Sequence, residues 1–595
     1  MKEFVKTMLA VLAALIVWGI VRIFFFFIMI GSMAASGASS VPAIPRSGGV
    51  LDMNMSDFAI GEQSNDMAMP GSIMDFSSFS NVPTIGLRDA VMALQTAATD
   101  PAVKFVLLRA DEASAGVSHL EELRLALLEV RRNGKAVVAY TENPGNGSYY
   151  LCSAADKVLM GSQHGGNSTL IGLATQQIYL KDILAKLGVN VQLIRHGKYK
   201  SAGEMFIRNS SSPENREQNQ VMINSLWSSL SANIAESRNI SVEDFNALLD
   251  NLSLVLPEDF LSNGLVDELV DHETLLNRVC TLSGVEDADN IKLIPFADYV
   301  AAKTVPSGHK NQVAVIYADG EIVEGDEYED IAADRFVREI DKVRKDKNIK
   351  AVVLRVNSPG GSVSASVKLR NALDLLQMEK PLVASYGDYA ASGGYWISNG
   401  CQKIYSDATT ITGSIGVFSM IPEFSNVTKK LGVGIETIGS NKHSDMFTLM
   451  RPFDAAELAY MQASVEDIYD MFVNLVAESR GMEPARVDEI AQGRVWAGTD
   501  ALSIGLVDEI GTLEDAIAYA AALADMHSAD EYNVVGYPAP PTMMEQLLQS
   551  FGGATDTPSI LSGTTFSGME DAISLVKEGK PSAVYARLPY FMTIK

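Results

Sequence analysis

Two short runs in this chain have the residue types for acyl transfer. Asn357-Ser358-Pro359-Gly360-Gly361-Ser362 follows an apolar, strand-like stretch and precedes a helical one, a place where backbone N–H groups can point outward with no Cβ in the way. Ala391-Ser392-Gly393-Gly394-Tyr395 puts a hydroxyl at the start of another helix. Developing negative charge is favoured there, and the N–H of Gly393 could join that of Gly360 or Gly361 to hold an oxyanion. Singly, each run has a plain explanation: a turn capped by Asn357 or Ser358, and an N-cap serine.

An internal comparison separates the readings. Lys104, Arg109, Leu123-Arg124, Tyr149 and Lys157 recur 246 positions later as Lys350, Arg355, Leu369-Arg370, Tyr395 and Lys403. Further on, Ala235-Glu236-Ser237-Arg238 recurs as Ala477-Glu478-Ser479-Arg480, and Gly264-Leu265-Val266-Asp267-Glu268 as Gly505-Leu506-Val507-Asp508-Glu509. A period of this size is too long for a solenoid and suits two tandem copies of one domain. Where the second copy has its glycines and serine, the first has Ala110-Asp111-Glu112-Ala113-Ser114-Ala115-Gly116 and Asn146. The fold therefore requires neither feature, and an asparagine cannot attack a carbonyl. Acyl-transfer equipment is expected in one half only.

A serine nucleophile needs a base; His443 lies in a plausible loop, but no histidine stands beside a carboxylate in a recognisable spacing. Lysine is the alternative, provided burial brings its pKa from near 10.4 down to roughly 7 or 8. Two segments offer candidates: Gly197-Lys198-Tyr199-Lys200-Ser201-Ala202 and Ser440-Asn441-Lys442-His443-Ser444.

The elements that would position these groups alternate strand and helix. Phe105 to Leu108 is strand-like, Leu120 to Val130 helical and Ala136 to Tyr140 strand-like; Val313 to Tyr317, Ala351 to Leu354 and Val363 to Leu376 repeat the order. That alternation is the signature of a parallel sheet in an α/β fold. Long helices are expected from Glu214 to Arg238 and from Asp454 to Arg480, and a closing strand from Ala583 to Leu588.

Composition narrows the function. At 595 residues the chain has room for several domains. With 47 basic against 73 acidic side chains, its net charge of -26 repels phosphate backbones, and nucleic acid is not expected as a partner. The three cysteines, Cys152, Cys280 and Cys401, form no C-x-x-C pair, and the seven histidines include no H-E-x-x-H, so neither a disulfide framework nor a metal centre is encoded. The run from Met8 to Met33 is almost wholly apolar and follows Lys2 and Lys6. It is long enough to span a bilayer, which takes about 20 apolar residues, with the N-terminus inside. Arg22 is its one costly residue. A cleaved signal peptide is the rival, since Ala34-Ala35-Ser36-Gly37-Ala38 follows. The expected layout is an anchor over residues 1–33, a linker over 34–48, a first domain over 49–305 and a second over 310–595.

Taken together, Asn357 to Ser362, Ala391 to Trp396, Thr412-Gly413-Ser414-Ile415-Gly416-Val417, Gly197 to Ala202 and Gly493-Arg494-Val495-Trp496-Ala497-Gly498 resemble the long, duplicated form of bacterial signal peptide peptidase A. The similarity spans nearly the whole chain. It implies a Clp/crotonase-like α/β fold in both halves behind one N-terminal transmembrane helix, and a serine peptidase of the bacterial inner membrane with its domains on the periplasmic side. It also implies a Ser–Lys dyad that maps onto Ser392 and Lys200, an oxyanion hole from Gly360, Gly361 and Gly393, no cofactor and no metal. A homotetramer that degrades cleaved signal peptides completes the picture. Single-domain relatives take their lysine from the serine's own domain, which makes Lys442 the alternative base and Lys198 a charged neighbour. Two further readings stand beside this one: an acyl-transfer enzyme of the crotonase type, since fold alone does not choose a reaction, and a non-catalytic membrane scaffold.

Overall fold

A computed structural model describes residues 18, 42–64, 82–304, 308–326, 328, 330–540 and 585–587. Apart from Trp18, the apolar run from Met8 to Met33 lies outside them. Among the described residues no helix is long and apolar enough to cross a membrane.

Each half is built on its own sheet. The first has six strands in the order Glu268–Val270, Lys157–Gly161, Val137–Thr141, Val103–Arg109, Gly49–Asn54, Leu293–Pro295, all paired in parallel. The second centres on Leu382–Ala391, Ile349–Ser358 and Gln312–Asp319, also parallel. Helices cover both faces of such a sheet, which is why Val313 to Ala318 and Ala351 to Val356 are buried without alternation.

The sequence repeat is a repeat of contacts. Val50 pairs with Phe105 in the first sheet and Val313 with Ala351 in the second. Arg124 donates to Tyr150 O and Ser237 Oγ. Its counterpart Arg370 donates to Trp396 O and Ser479 Oγ at 3.2 Å each. Tyr149 and Tyr395 likewise close equivalent loops, on Leu265 O and Leu506 O. The recurring residues are therefore the ones that tie helix to loop in each copy, and losing such a buried bond typically costs about 1 kcal/mol or more.

Two features join the halves. The first is a shared sheet, in which Asn190–His196 of the first half pairs antiparallel with Val417–Glu423 of the second, from Asn190 opposite Glu423 to His196 opposite Val417. The second is a buried ionic contact. Arg355, wholly buried, donates through Nε to Glu62 at 2.9 Å and lies 3.0 Å from Glu122, both carboxylates coming from the first half. Burial would raise the Glu62 pKa, but Arg355 and His119 outweigh it and hold it at about 2. Burial likewise works against a charged His119, but Glu62, 3.0 Å from its Nε2, raises it to about 9.

Candidate active site

Ser392 sits between the strand Leu382–Ala391 and the helix Gly393–Ser398. It does not cap that helix: its side chain makes no capping hydrogen bond, and its backbone lies at φ 55°, ψ −111°. Such a conformation costs a non-glycine residue of order 1–3 kcal/mol. The strain is held by fixed neighbours, since Ser392 N donates to Gly413 O and Ser392 O accepts from Trp396 N, both at 2.8 Å. The result aims the hydroxyl away from the helix it precedes, so the N-cap explanation fails.

It aims at Lys200. Lys200 Nζ and Ser392 Oγ are 2.7 Å apart, and both residues are buried, at 2% and 0% exposure. The shared sheet delivers the lysine. The strand Asn190–His196 ends against the second half, Gly197 turns at φ 97°, and Tyr199 N then bonds Gln492 O at 2.9 Å. Gly197 has no room for a side chain, because a Cβ there would lie 2.5 Å from Gln492 O. Burial pushes the Lys200 ammonium well below the ordinary lysine value.

Ser414 completes the arrangement, with its carbonyl and its Oγ each 3.0 Å from Lys200 Nζ. Sequence reasoning placed Ser414 inside a motif without giving it a role, although Thr412 to Val417 was the signal available. A neutral amine keeps two N–H groups and one lone pair. With the N–H groups on Ser414, the lone pair is left for the Ser392 hydroxyl.

The glycine turn packs against the serine. A methyl group on Gly393 would come 3.1 Å from Gly361 N, and one on Gly360 would come 2.7 Å from Gly393 N, so bulkier residues would fill this space. Gly360 N–H donates to Ser358 Oγ at 3.2 Å. Gly393 is the first residue of its helix, where an N–H has no partner within the helix.

The groove beside this turn binds extended chain. Tyr585–Arg587 runs antiparallel to Gly360–Ser362, with Tyr585 opposite Phe418 on the other side. Ala586 is wholly buried, and its carbonyl oxygen would lie 2.0 Å from a methyl on Gly360. Arg587 pairs with Glu321 at 3.0 Å.

The remaining candidates are elsewhere. Lys442 and Lys198 are exposed, and Lys198 Nζ lies over the Tyr199 ring. His443 bonds Glu457 at 3.0 Å. Together with Asp454 they form the one set of clustered ligand atoms among the described residues, but Arg451 already occupies both oxygens of Glu457 at 2.7 Å. In the first half, Asn146 accepts from Ile171 N and Gly172 N and donates to Gly172 O; its amide ties down the loop where a nucleophile would need freedom.

Comparison with known proteins shows the family. The model of peptidase family S49 matches residues 129–286 and 374–527, once in each half, and that of the Clp protease matches 307–406. Protease 4 of Haemophilus influenzae is 32% identical over 530 residues, 86% of this chain and 85% of that one. The chloroplastic serine protease SPPA of Arabidopsis thaliana is 30% identical over 490 residues, 81% and 71% of the two chains. A putative signal peptide peptidase SppA of Enterococcus faecium is 38% identical over 183 residues, 31% of this chain and 53% of that one. The chain belongs to peptidase family S49, with two such domains on a Clp protease-like α/β fold.

Proposed function

We propose that this chain is a membrane-anchored serine endopeptidase whose Ser392–Lys200 dyad hydrolyses released signal peptides and other short apolar peptides. The observation that carries the reading is the 2.7 Å contact between Lys200 Nζ and Ser392 Oγ, both side chains being buried. Neutral Lys200 takes the Ser392 proton as Oγ attacks the peptide carbonyl. The N–H groups of Gly393 and Gly361 receive the oxyanion, Gly360 being committed to Ser358. Ser414 stabilises the lysine while it is protonated. The proton then passes to the leaving amine, and water activated by the neutral lysine releases the acyl group.

The groove that holds Tyr585–Arg587 favours a substrate that adds as a strand. The name of the Enterococcus faecium relative supports signal peptides as the class. The apolar run from Met8 to Met33 would anchor the chain in a bacterial inner membrane with both halves on the periplasmic side, and the assembly would be a homotetramer. Fluorophosphonate labelling and peptide hydrolysis test the dyad. Ser392→Ala and Lys200→Ala are each expected to remove turnover, whereas Lys442→Ala leaves it. Inactivation by Lys442→Ala with an active Lys200→Ala would assign the base to the second half instead.

A further inference from the structure

The two carbonyls that flank the Lys200 Cα are both taken by side chains. Arg195 Nη1 donates to Lys200 O at 2.6 Å and pairs with Glu204 at 3.2 Å. Gln218 Nε2 donates to Tyr199 O at 2.9 Å, with the Ser201 hydroxyl 3.2 Å away. Gln218 belongs to the long helix Pro213–Arg238 of the first half and is buried.

The other end of the same amide belongs to the second half. Gln218 Oε1 accepts from Val495 N at 3.3 Å. The strand Val495–Ala497 pairs antiparallel with Ile411–Gly413, Val495 lying opposite Gly413, and Gly413 O is the acceptor that fixes Ser392 N at 2.8 Å. One residue before Val495, Arg494 O accepts from Ser414 N at 2.7 Å. Tyr199 O can only accept and Val495 N can only donate, so the amide lies one way round, donating towards the base and accepting from the nucleophile's side. The repeat supplies a control. At the same place 242 positions on, the helix Ala455–Arg480 carries Tyr460, which is exposed, so the helix itself does not require a buried amide there.

We propose that Gln218 is the positioning residue of the dyad, its one amide setting the separation between the segment that carries Lys200 and the strands that hold Ser392 and Ser414. The inference rests on the Ser392–Lys200 reading and deepens it. The role needs a donor and an acceptor at the end of a side chain of this length. Ionised Glu offers acceptors only, Met offers the length alone, and Asn has both groups but is one methylene short. Without the amide, Tyr199 O and Val495 N lose the partner they share, and the lysine segment can part from the second half. Burial is what lowers the lysine's pKa, whereas the charged groups on the elements around it, Arg195 with Glu204 and Arg494 with Glu217, are paired with one another. Water admitted at the amine returns its pKa towards 10.5. Geometry and protonation state are then lost together.

Gln218→Met in the full chain tests it, with Gln220→Met, on the exposed face of the same helix, as the control. Gln218→Met is expected to lower kcat at pH 7 by about 10²-fold with KM little changed, and to slow fluorophosphonate labelling of Ser392 in parallel. At pH 10 about tenfold of that loss should return, because a less depressed lysine is again neutral there. Gln220→Met should match the wild type in all three. Should Gln218→Met fail to fold, Gln218→Asn is measured in its place and is expected to show the same pH-dependent loss, about tenfold at pH 7. A folded Gln218 variant with the wild-type kcat, a loss that is equal at pH 7 and pH 10, or an equal loss in Gln220→Met overturns the inference; with Lys200→Ala inactive, the dyad still stands. An active Lys200→Ala overturns the dyad and the inference together.

Discussion

Gly493 stands so close to Lys200 that a Cβ on it would come 2.5 Å from the lysine's own Cβ, and at φ +77° it adopts a backbone that other residues avoid. The other wall of the slot is Gly416, where a Cβ would come 3.3 Å from Lys200 Cδ. The second half thus shapes the channel through which the first half's lysine reaches Ser392. Gly493→Ala is expected to displace the amine by an ångström or so and lower kcat by about 10²-fold, with KM little changed. An unaltered kcat would remove Gly493 from that role.

Removing the nucleophile should be more severe. Ser392→Ala is expected to lower kcat by about 10⁴-fold or more and abolish fluorophosphonate labelling. Thermal unfolding should show the folded state retained. Labelling that persists would point to another serine.

Lys200 carries a pH signature in two observables. Its folded pKa lies well below 10.5, so between that value and 10.5 the unfolded chain binds a proton that the folded chain does not, and stability rises with pH through the window. Lys200→Met should therefore melt above the wild type at neutral pH, with the gap closing as pH approaches 10.5. Wild-type kcat/KM should rise as the lysine deprotonates, with an apparent pKa well below 10.5. A variant that melts below the wild type at pH 7 would contradict a buried neutral amine.

In the ionic contact between the halves the two groups run in opposite directions, Glu62 with the trend of Lys200 and His119 against it. Glu62, held at about 2 against an ordinary 4.5, contributes stability above 4.5 that is lost as pH falls through about 2. His119, raised from 6.5 to about 9, contributes stability below 6.5 that is lost as pH rises through about 9. Melting temperature should fall between about pH 6.5 and 9, and His119→Asn should flatten that decline. Glu62→Gln is expected to cost about 3 kcal/mol, because it leaves Arg355 buried with poorer compensation. Chemical denaturation of the two variants checks both.

The strand Tyr585–Arg587 occupies the groove that a substrate strand would need. A chain ending before Tyr585 is expected to show a lower KM for peptide substrates than the full chain, since nothing would have to leave the groove first. An equal KM would mean that substrates bind elsewhere.

Much of this site was legible because the chain carries its own control. Ser392 and the Gly360-Gly361 turn stood out against Asn146 and Ala110 to Gly116 at the same places in the repeat, and the α/β alternation followed from strands buried on both faces. Lys200 was legible chiefly through resemblance; the polar run Ser440 to Ser444 argued only against burying Lys442, which lies in solvent. Ser414 and the shared sheet were not legible. Both depend on Asn190–His196 leaving its own half to pair with Val417–Glu423, a choice of partner that no hydrophobic period records.

The split of the dyad across the shared sheet also has a temporal consequence. The lysine is synthesised first and the serine 192 residues later, and the Gly493 wall later still. No partial product of synthesis holds all three, so under the proposed mechanism the chain has no hydrolytic power until its second half has closed on its first. Completion of folding is itself the activation step, and no removable inhibitory segment is needed to delay it.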